Sequence, residues 1–272
     1  RTRSGVGRSP GLSATGSLTL NANRITQSGV LRAPLGQVTL NASDVLTITD
    51  NSLTSVSAEG SLIPYALTVL GGSEMANTPG AITNFITAID GKKVALNGRT
   101  IQVNPGARID VSGSGDTLAY EWIQGIGGSV DVLNQAGYYA VLPSLGSQYA
   151  PYDFLMQSAS VPEIGQAVAL AGGNRLSAGT YTLLPARYAL MPGAFLIKAS
   201  DQTVQLGRSL TLPDGSSLSS GYLTKLDGTS RGQDGSFEII NGNTFTQNFG
   251  TRNYKGLAEY LLTTGNSFIA NK

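Results

Sequence analysis

Four carboxylates fall within 22 residues of one another, Asp110, Asp116, Glu121 and Asp131. Hydrolysis of a glycosidic bond needs two such groups about 5 to 10 Å apart, one protonated and one ionised, so this set is the chain's candidate for reaction chemistry. Composition weighs against it. With 17 acidic side chains in 272 residues, a local group of four is ordinary. The expectation is that the protein is not an enzyme and that catalytic residues number none. The chain has neither histidine nor cysteine, which removes Ser/His/Asp and Cys/His nucleophile pairs, thiolates, zinc knuckles and iron–sulfur clusters. Carboxylate, lysine and tyrosine chemistry remains.

Aromatic residues give a second pattern. The segment 116–199 holds the only tryptophan and seven of the eleven tyrosines. Among these, Tyr120, Trp122, Tyr138, Tyr139, Tyr149 and Tyr152 could stack on sugar rings, the ring face supplying apolar contact and the hydroxyl or indole N–H a hydrogen bond. The same side chains would equally serve as the segment's own small core. Two glycine-containing figures carry less. Gly113-Ser-Gly-Asp-Thr-Leu118 is similar to half of a calcium-binding nonapeptide, but such rolls bind calcium by stacking several copies, and one copy reads as a turn. Gly125-Ile-Gly-Gly128 lacks the Lys-Ser/Thr and the helix of a phosphate loop. No cofactor and no metal is expected.

These residues must be positioned by strands. From Ser17 onward the chain reads as short β-prone segments punctuated by Gly, Asn and Pro, including Ser17–Leu20, Ile25–Gln27, Gln37–Leu40, Val45–Thr49, Lys93–Leu96 and Ile101–Val103. Two figures recur. Leu18-Thr-Leu-Asn-Ala22 returns as Val38-Thr-Leu-Asn-Ala42 and again as Val94-Ala-Leu-Asn-Gly98. A strand–turn–strand figure appears at Ile48–Ser57, Val103–Ser112 and Leu212–Ser220. Repetition every 20 residues or so, with small residues at the corners, predicts a parallel β-helix whose coils stack about 4.8 Å apart with Asn and Ser/Thr ladders at the bends. The alternatives are an antiparallel sandwich or an up-and-down barrel, in which Asp50-Asn51, Pro105-Gly106 and Asp214-Gly215 would be hairpin turns.

The expected organisation is a flexible basic head over 1–16, β-helix coils over 17–115 with a helical insertion at 78–91, a loop-rich aromatic excursion over 116–199 packed on the solenoid's side, further coils over 200–250, and a helical cap over 251–272. The insertion is read from Thr78-Pro79, the apolar Ile82, Phe85, Ile86 and Ile89, and the Gly91 stop. The cap is read from the stripe Tyr254, Leu257, Ala258, Leu261 and Leu262, closed by Gly265. Five arginines, Arg1, Arg3, Arg8, Arg24 and Arg32, precede the first acid, Asp44, within a formal net charge of +1. With Gly and Ser between them and no aromatics beside them, the first three read as a solvated terminus and not as a nucleic-acid arm. No run of 18 apolar residues is present, so no membrane-spanning helix is expected. The start at Arg1, without methionine or a signal peptide, reads as a piece of something longer.

Longer phrases carry a resemblance. Gly29–Ala42, Leu118–Trp122 with Gly127–Leu133, Tyr139–Gly146 with Tyr149–Asp153, and Gly179–Gly193 are similar to a region of large filamentous-haemagglutinin-like exoproteins, β-helical proteins that Gram-negative bacteria export by two-partner secretion. The likeness spans roughly Ser17 to Gly221, and its aromatic and proline phrases are more specific than its strands. It implies a right-handed parallel β-helix, export through a dedicated outer-membrane two-partner-secretion transporter, a secreted or cell-surface location, and an adhesin's role for this interior or carboxy-terminal portion. It brings no catalytic residues. The function expected is therefore that of a structural and adhesive segment of an extracellular fibre, with surface glycans or other copies of itself as partners. The alternatives are a polysaccharide-acting β-helix enzyme and a self-assembling extracellular filament subunit.

Overall fold

The computed structural model describes residues 14–69, 74–76, 85–86, 91–113, 115–123, 130–146, 166–225, 230–242, 246–247 and 259–270. The protein is all-β. The chain divides into two compact units, Arg1–Ala119 together with Thr263–Lys272, and Tyr120–Leu262.

In the first unit the sequence repeats become parallel strand pairs. Strands β1 (Ser17–Gln27), β3 (Gln37–Ile48), β7 (Lys93–Asn97) and β8 (Thr100–Val103) form one row. The register matches the repeat: Leu18, Val38 and Val94 lie side by side, as do Leu20, Leu40 and Leu96. Strands β2 (Val30–Arg32), β4 (Leu53–Ser55) and β9 (Arg108–Asp110) form a second parallel row. Alternation along β3 sends Val38, Leu40, Leu46 and Ile48 into a core where none has any exposed surface, and Ile25, Ala33 and Val56 join them. Burial of each such aliphatic side chain stabilises by roughly 1.5–3 kcal/mol.

The opposite face of the long row carries the ladder. Asn97 Nδ2 donates to Asn41 Oδ1 and Asn41 Nδ2 to Asn21 Oδ1, both at 2.7 Å. At the first corner, Gly36 lies so close to the backbone of Gly16 that a Cβ would collide with it, and its neighbour Leu35 holds φ at +54°.

Between β3/β4 and β7 the chain makes an antiparallel hairpin of β5 (Leu62–Val69) and β6 (Glu74–Ala76). The insertion at 78–91 lies mostly outside the described residues. The two described there are not helical: Phe85 bridges Ala76, and Ile86 N donates to Met75 O at 2.7 Å. Apolar residues that looked like one helix face continue this antiparallel pairing.

Strand β10 (Asp116–Ile123) carries the chain into the second unit. There the strands are β11 (Tyr138–Val141), β12 (Gln166–Leu170), β13 (Gly179–Thr182), β14 (Leu184–Pro185), β15 (Phe195–Ser200), β16 (Ser209–Thr211), β17 (Ser217–Lys225) and β18 (Arg231–Asn241). All their pairings are antiparallel, in the order β13-β12-β17-β18-β15-β11-β14, with β16 beside β17. The two outer strands, β13 and β14, are separated in sequence only by Leu183, so the sheet curls into a nearly closed barrel. Val141, Val168, Leu170, Tyr181, Ile197 and Ile239 are among the side chains that fill it.

This corrects two expectations. Among the described residues, 130–146, 166–225 and 230–242 supply the strands of one antiparallel sheet, where a loop-rich excursion over 116–199 and further parallel coils over 200–250 were expected. The third copy of the turn figure explains part of the difference. Asp214 accepts from Ser216 N at 2.9 Å and Ser216 Oγ at 2.7 Å, Gly215 stands at φ +85°, and Leu212 N donates to Ser216 O at 2.8 Å. The turn closes into a hairpin between β16 and β17.

The carboxy-terminal expectation is corrected as well. Strand β20 (Glu259–Thr264) contains Leu261 and Leu262, and it pairs in parallel with β19 (Thr246–Gln247). Helix α1 (Gly265–Ala270) begins at the glycine expected to end a helix; residues 251–258 of the expected stripe lie outside the described residues. Strand pairing and the β-branched Thr263 and Thr264 outweigh the i, i+3, i+4 spacing. Asp116 steadies the new helix start, accepting from Asn266 N at 3.0 Å.

Candidate functional site

The aromatic set is the place to look for a binding surface. Tyr120 and Trp122 lie two apart on β10 and so share a face of that strand. Tyr120 is buried, and its ring meets Tyr260 edge-on, with centroids 5.9 Å apart and planes at 73°. Tyr260, which has no exposed surface, donates its hydroxyl to Asp131 Oδ1 at 2.6 Å and accepts from Leu133 N at 3.1 Å. Burial, together with the Asp131 carboxylate, pushes the Tyr260 hydroxyl far above the usual tyrosine range, so it stays protonated. Asp131 also accepts from Leu133 N at 3.2 Å, as the cap of the 3-10 turn Val132–Asn134.

Trp122 is half-buried, and its Nε1 is a buried donor with no hydrogen-bond partner. An unpaired buried N–H costs on the order of 1–3 kcal/mol, and a hydroxyl-bearing ligand is one group that would satisfy it.

Tyr138 and Tyr139 are neighbours on β11 and point to opposite faces. Tyr139 packs against the barrel core. Tyr138 lies opposite Lys198, whose Nζ is 5.5 Å from the ring centroid and 3.1 Å from Glu238 Oε2. Burial works to lower the Lys198 pKa, but Glu238 and Tyr138 outweigh it, and the ammonium is held above its usual range. Tyr149 and Tyr152 lie outside the described residues. Of the six aromatic candidates, Tyr120 is thus buried, Tyr139 is partly buried against the barrel core, and Trp122 and Tyr138 are partly exposed.

The carboxylates have local partners. Asp110 accepts from Ser112 N at 3.0 Å, Asp116 from Thr117 N at 2.8 Å and from α1, and Asp131 from Tyr260. Hydrogen bonds from Ser112, backbone and side chain, hold Asp110 below the usual aspartate value, with Arg108 adding to them. That is the reverse of what a general acid needs. Gly115, in the calcium-like figure, stands at φ +97° with the Ala58 carbonyl where its Cβ would be, so this glycine permits a close approach of backbones. Among the described residues no group of three potential metal ligands occurs. Gly125–Gly128 lies outside them.

One surface feature escaped the sequence reading. An open groove of about 260 Å³ runs along the end of β17 and β18, lined by Gln166, Leu223, Thr224, Lys225, Ser230, Arg231 and Gly232. The Arg231 guanidinium sits 4.1 Å from the Tyr222 ring centroid and 2.6 Å from Asp234. The signal for it was the pair of alternating segments Ser217–Lys225 and Arg231–Asn241, whose short connection places Lys225 and Arg231 at one hairpin end. No protein-family model, curated protein or solved structure matches the chain.

Proposed function

We propose that the chain is a structural and adhesive segment of a large secreted or surface-exposed bacterial fibre of the filamentous-haemagglutinin-like kind, exported through an outer-membrane two-partner-secretion transporter. In this reading the two parallel rows of the first unit are successive coils of a short right-handed β-helix. The observation that carries the reading is the in-register pairing of Leu20, Leu40 and Leu96 with the Asn21, Asn41, Asn97 ladder beside it. Stacked coils of this kind give length and stiffness without disulfides or metals.

The second unit supplies the adhesive part, with surface glycans as ligands. Trp122, with its unpaired indole N–H, and Tyr138, partly exposed beside Lys198, are the contact residues. At each of them a sugar ring would find an apolar ring face. No specific observation favours the polysaccharide-cleaving alternative, since Asp131 is engaged by a buried tyrosine.

Glycan-array binding of the whole chain tests this. Trp122→Ala, with unchanged far-UV circular dichroism, is expected to lower affinity about tenfold, the equivalent of roughly 1.4 kcal/mol. Binding that is absent in the parent, or unaltered in both Trp122→Ala and Tyr138→Ala, would remove the adhesive assignment. Release of oligosaccharides from a polysaccharide panel would replace it with an enzymatic one.

A further inference from the structure

Tyr138 is the first of three side chains that cross the sheet of the second unit in one row. It lies on β11 opposite Lys198 on β15, and Lys198 lies opposite Glu238 on β18. With strands about 4.8 Å apart, the row is about 10 Å long, the span of one sugar ring and its hydroxyls. Ile197 and Ile239, next in sequence to the two charged residues, point into the barrel core, so Lys198 and Glu238 face the other way. The Lys198 ammonium stands 5.5 Å from the Tyr138 ring centroid and 3.1 Å from Glu238 Oε2. Its side chain is 35% exposed and that of Glu238 only 17%, and Glu238 is flanked on its far side by the buried Leu218. The carboxylate is thus the more enclosed member of the pair.

We propose that this row selects a neutral sugar with adjacent hydroxyls, Tyr138 serving as the platform and the Lys198–Glu238 pair as the specificity-determining group. This selectivity rests on the glycan reading of the second unit and adds its ligand class. A hydroxyl both donates and accepts. One sugar hydroxyl therefore accepts from the Lys198 ammonium while its neighbour donates to the Glu238 carboxylate, and the ion pair stays intact. Hydrogen bonds to charged groups of this kind are the stronger ones. An acidic sugar fails on the second contact. Its ionised carboxylate or sulfate has no proton to offer Glu238, and it competes with Glu238 for the same ammonium. Success in that competition would leave an enclosed carboxylate without its counter-ion, a costly outcome. Lys198 meanwhile keeps its charge, since Glu238 and Tyr138 hold its pKa above the ordinary value against the effect of burial.

Binding of the whole chain to an array in which each neutral glycan is paired with its sialylated or sulfated form is the test. The parent is expected to prefer the neutral member of a pair by about tenfold, because the acidic group meets a like charge. Glu238→Gln keeps the size of the side chain and leaves Lys198 without its counter-ion. It is expected to move the ratio about tenfold towards the acidic member, and the binding so gained should weaken with added salt. Far-UV circular dichroism checks that the variant folds, and the ratio in the parent decides on its own if it does not. A parent that binds the acidic members as tightly as the neutral ones, or a folded Glu238→Gln with the parent's ratio, would overturn the selectivity and leave the glycan reading in place. A parent that binds no member of any pair would overturn both.

Discussion

The asparagine ladder allows a quantitative check of the parallel strand register in the first unit. Asn41 is the middle rung, donating to Asn21 and accepting from Asn97, both at 2.7 Å. Each end residue takes part in one rung bond and the middle residue in two. Exposed intramolecular hydrogen bonds stabilise at the lower end of the usual range, about 0.5 kcal/mol each. Asn21→Ala and Asn97→Ala should therefore cost about 0.5 kcal/mol, and Asn41→Ala about 1 kcal/mol. In an Asn41→Ala background the two end substitutions should cost close to nothing, because their partner has gone, and the coupling appears directly in the double-mutant cycle. Urea unfolding followed by far-UV circular dichroism gives the free energies, and hydrogen exchange of the β3 amides assigns the change to this unit. Equal costs at the three positions, or end costs that persist without Asn41, would refute the ladder and the register on which it stands.

Three further outcomes follow from particular contacts. Gly36→Ala should destabilise the first unit by about 1–3 kcal/mol in the same unfolding measurement, since the new methyl collides with the Gly16 backbone, which cannot swing aside like the tip of a side chain. Asp50 has its pKa lowered below the ordinary 3.8 by hydrogen bonds from the Asn104 side chain and Gly106 N. The folded form thus binds the proton less readily than the unfolded one, and the contribution present above 3.8 is lost as pH falls through the folded value. Asp50→Asn should make the melting temperature less sensitive to acidification in that window, with Asp110 retaining its own share. Tyr260→Phe should cost about 2 kcal/mol by removing the donor to Asp131 from a fully buried site, and a thermal melt indistinguishable from the parent would contradict that assignment.

The first unit was the more legible half. The Leu-Thr-Leu-Asn figure already contained its register, because identical side chains can stack as a ladder only when their strands lie parallel and unshifted. The aromatic segment was legible as a cluster and illegible as a shape. Tyr139 and Tyr138 are adjacent in sequence, yet one packs into the barrel and the other pairs with Lys198. Which of two alternating faces turns inward depends on how the sheet curls. Tyr260 was not among the candidate residues, and its contact with Asp131 spans 129 residues of sequence.

Local chemistry therefore determined the β character, the small-residue corners, the repeat and the exclusion of histidine and thiol chemistry. It also determined that Asp50-Asn51, Pro105-Gly106 and Asp214-Gly215 would be turns. Only the tertiary structure decided where each turn leads. After Asp50 the chain enters β4, which stacks in parallel between β2 and β9, whereas after Asp214 it folds back beside the strand it has just left. A tight turn reverses or bends the backbone by the same short-range geometry in both cases. The pairing that follows is set by which distant edge offers free hydrogen-bonding groups and a matching apolar column, and that is a property of the assembled strands.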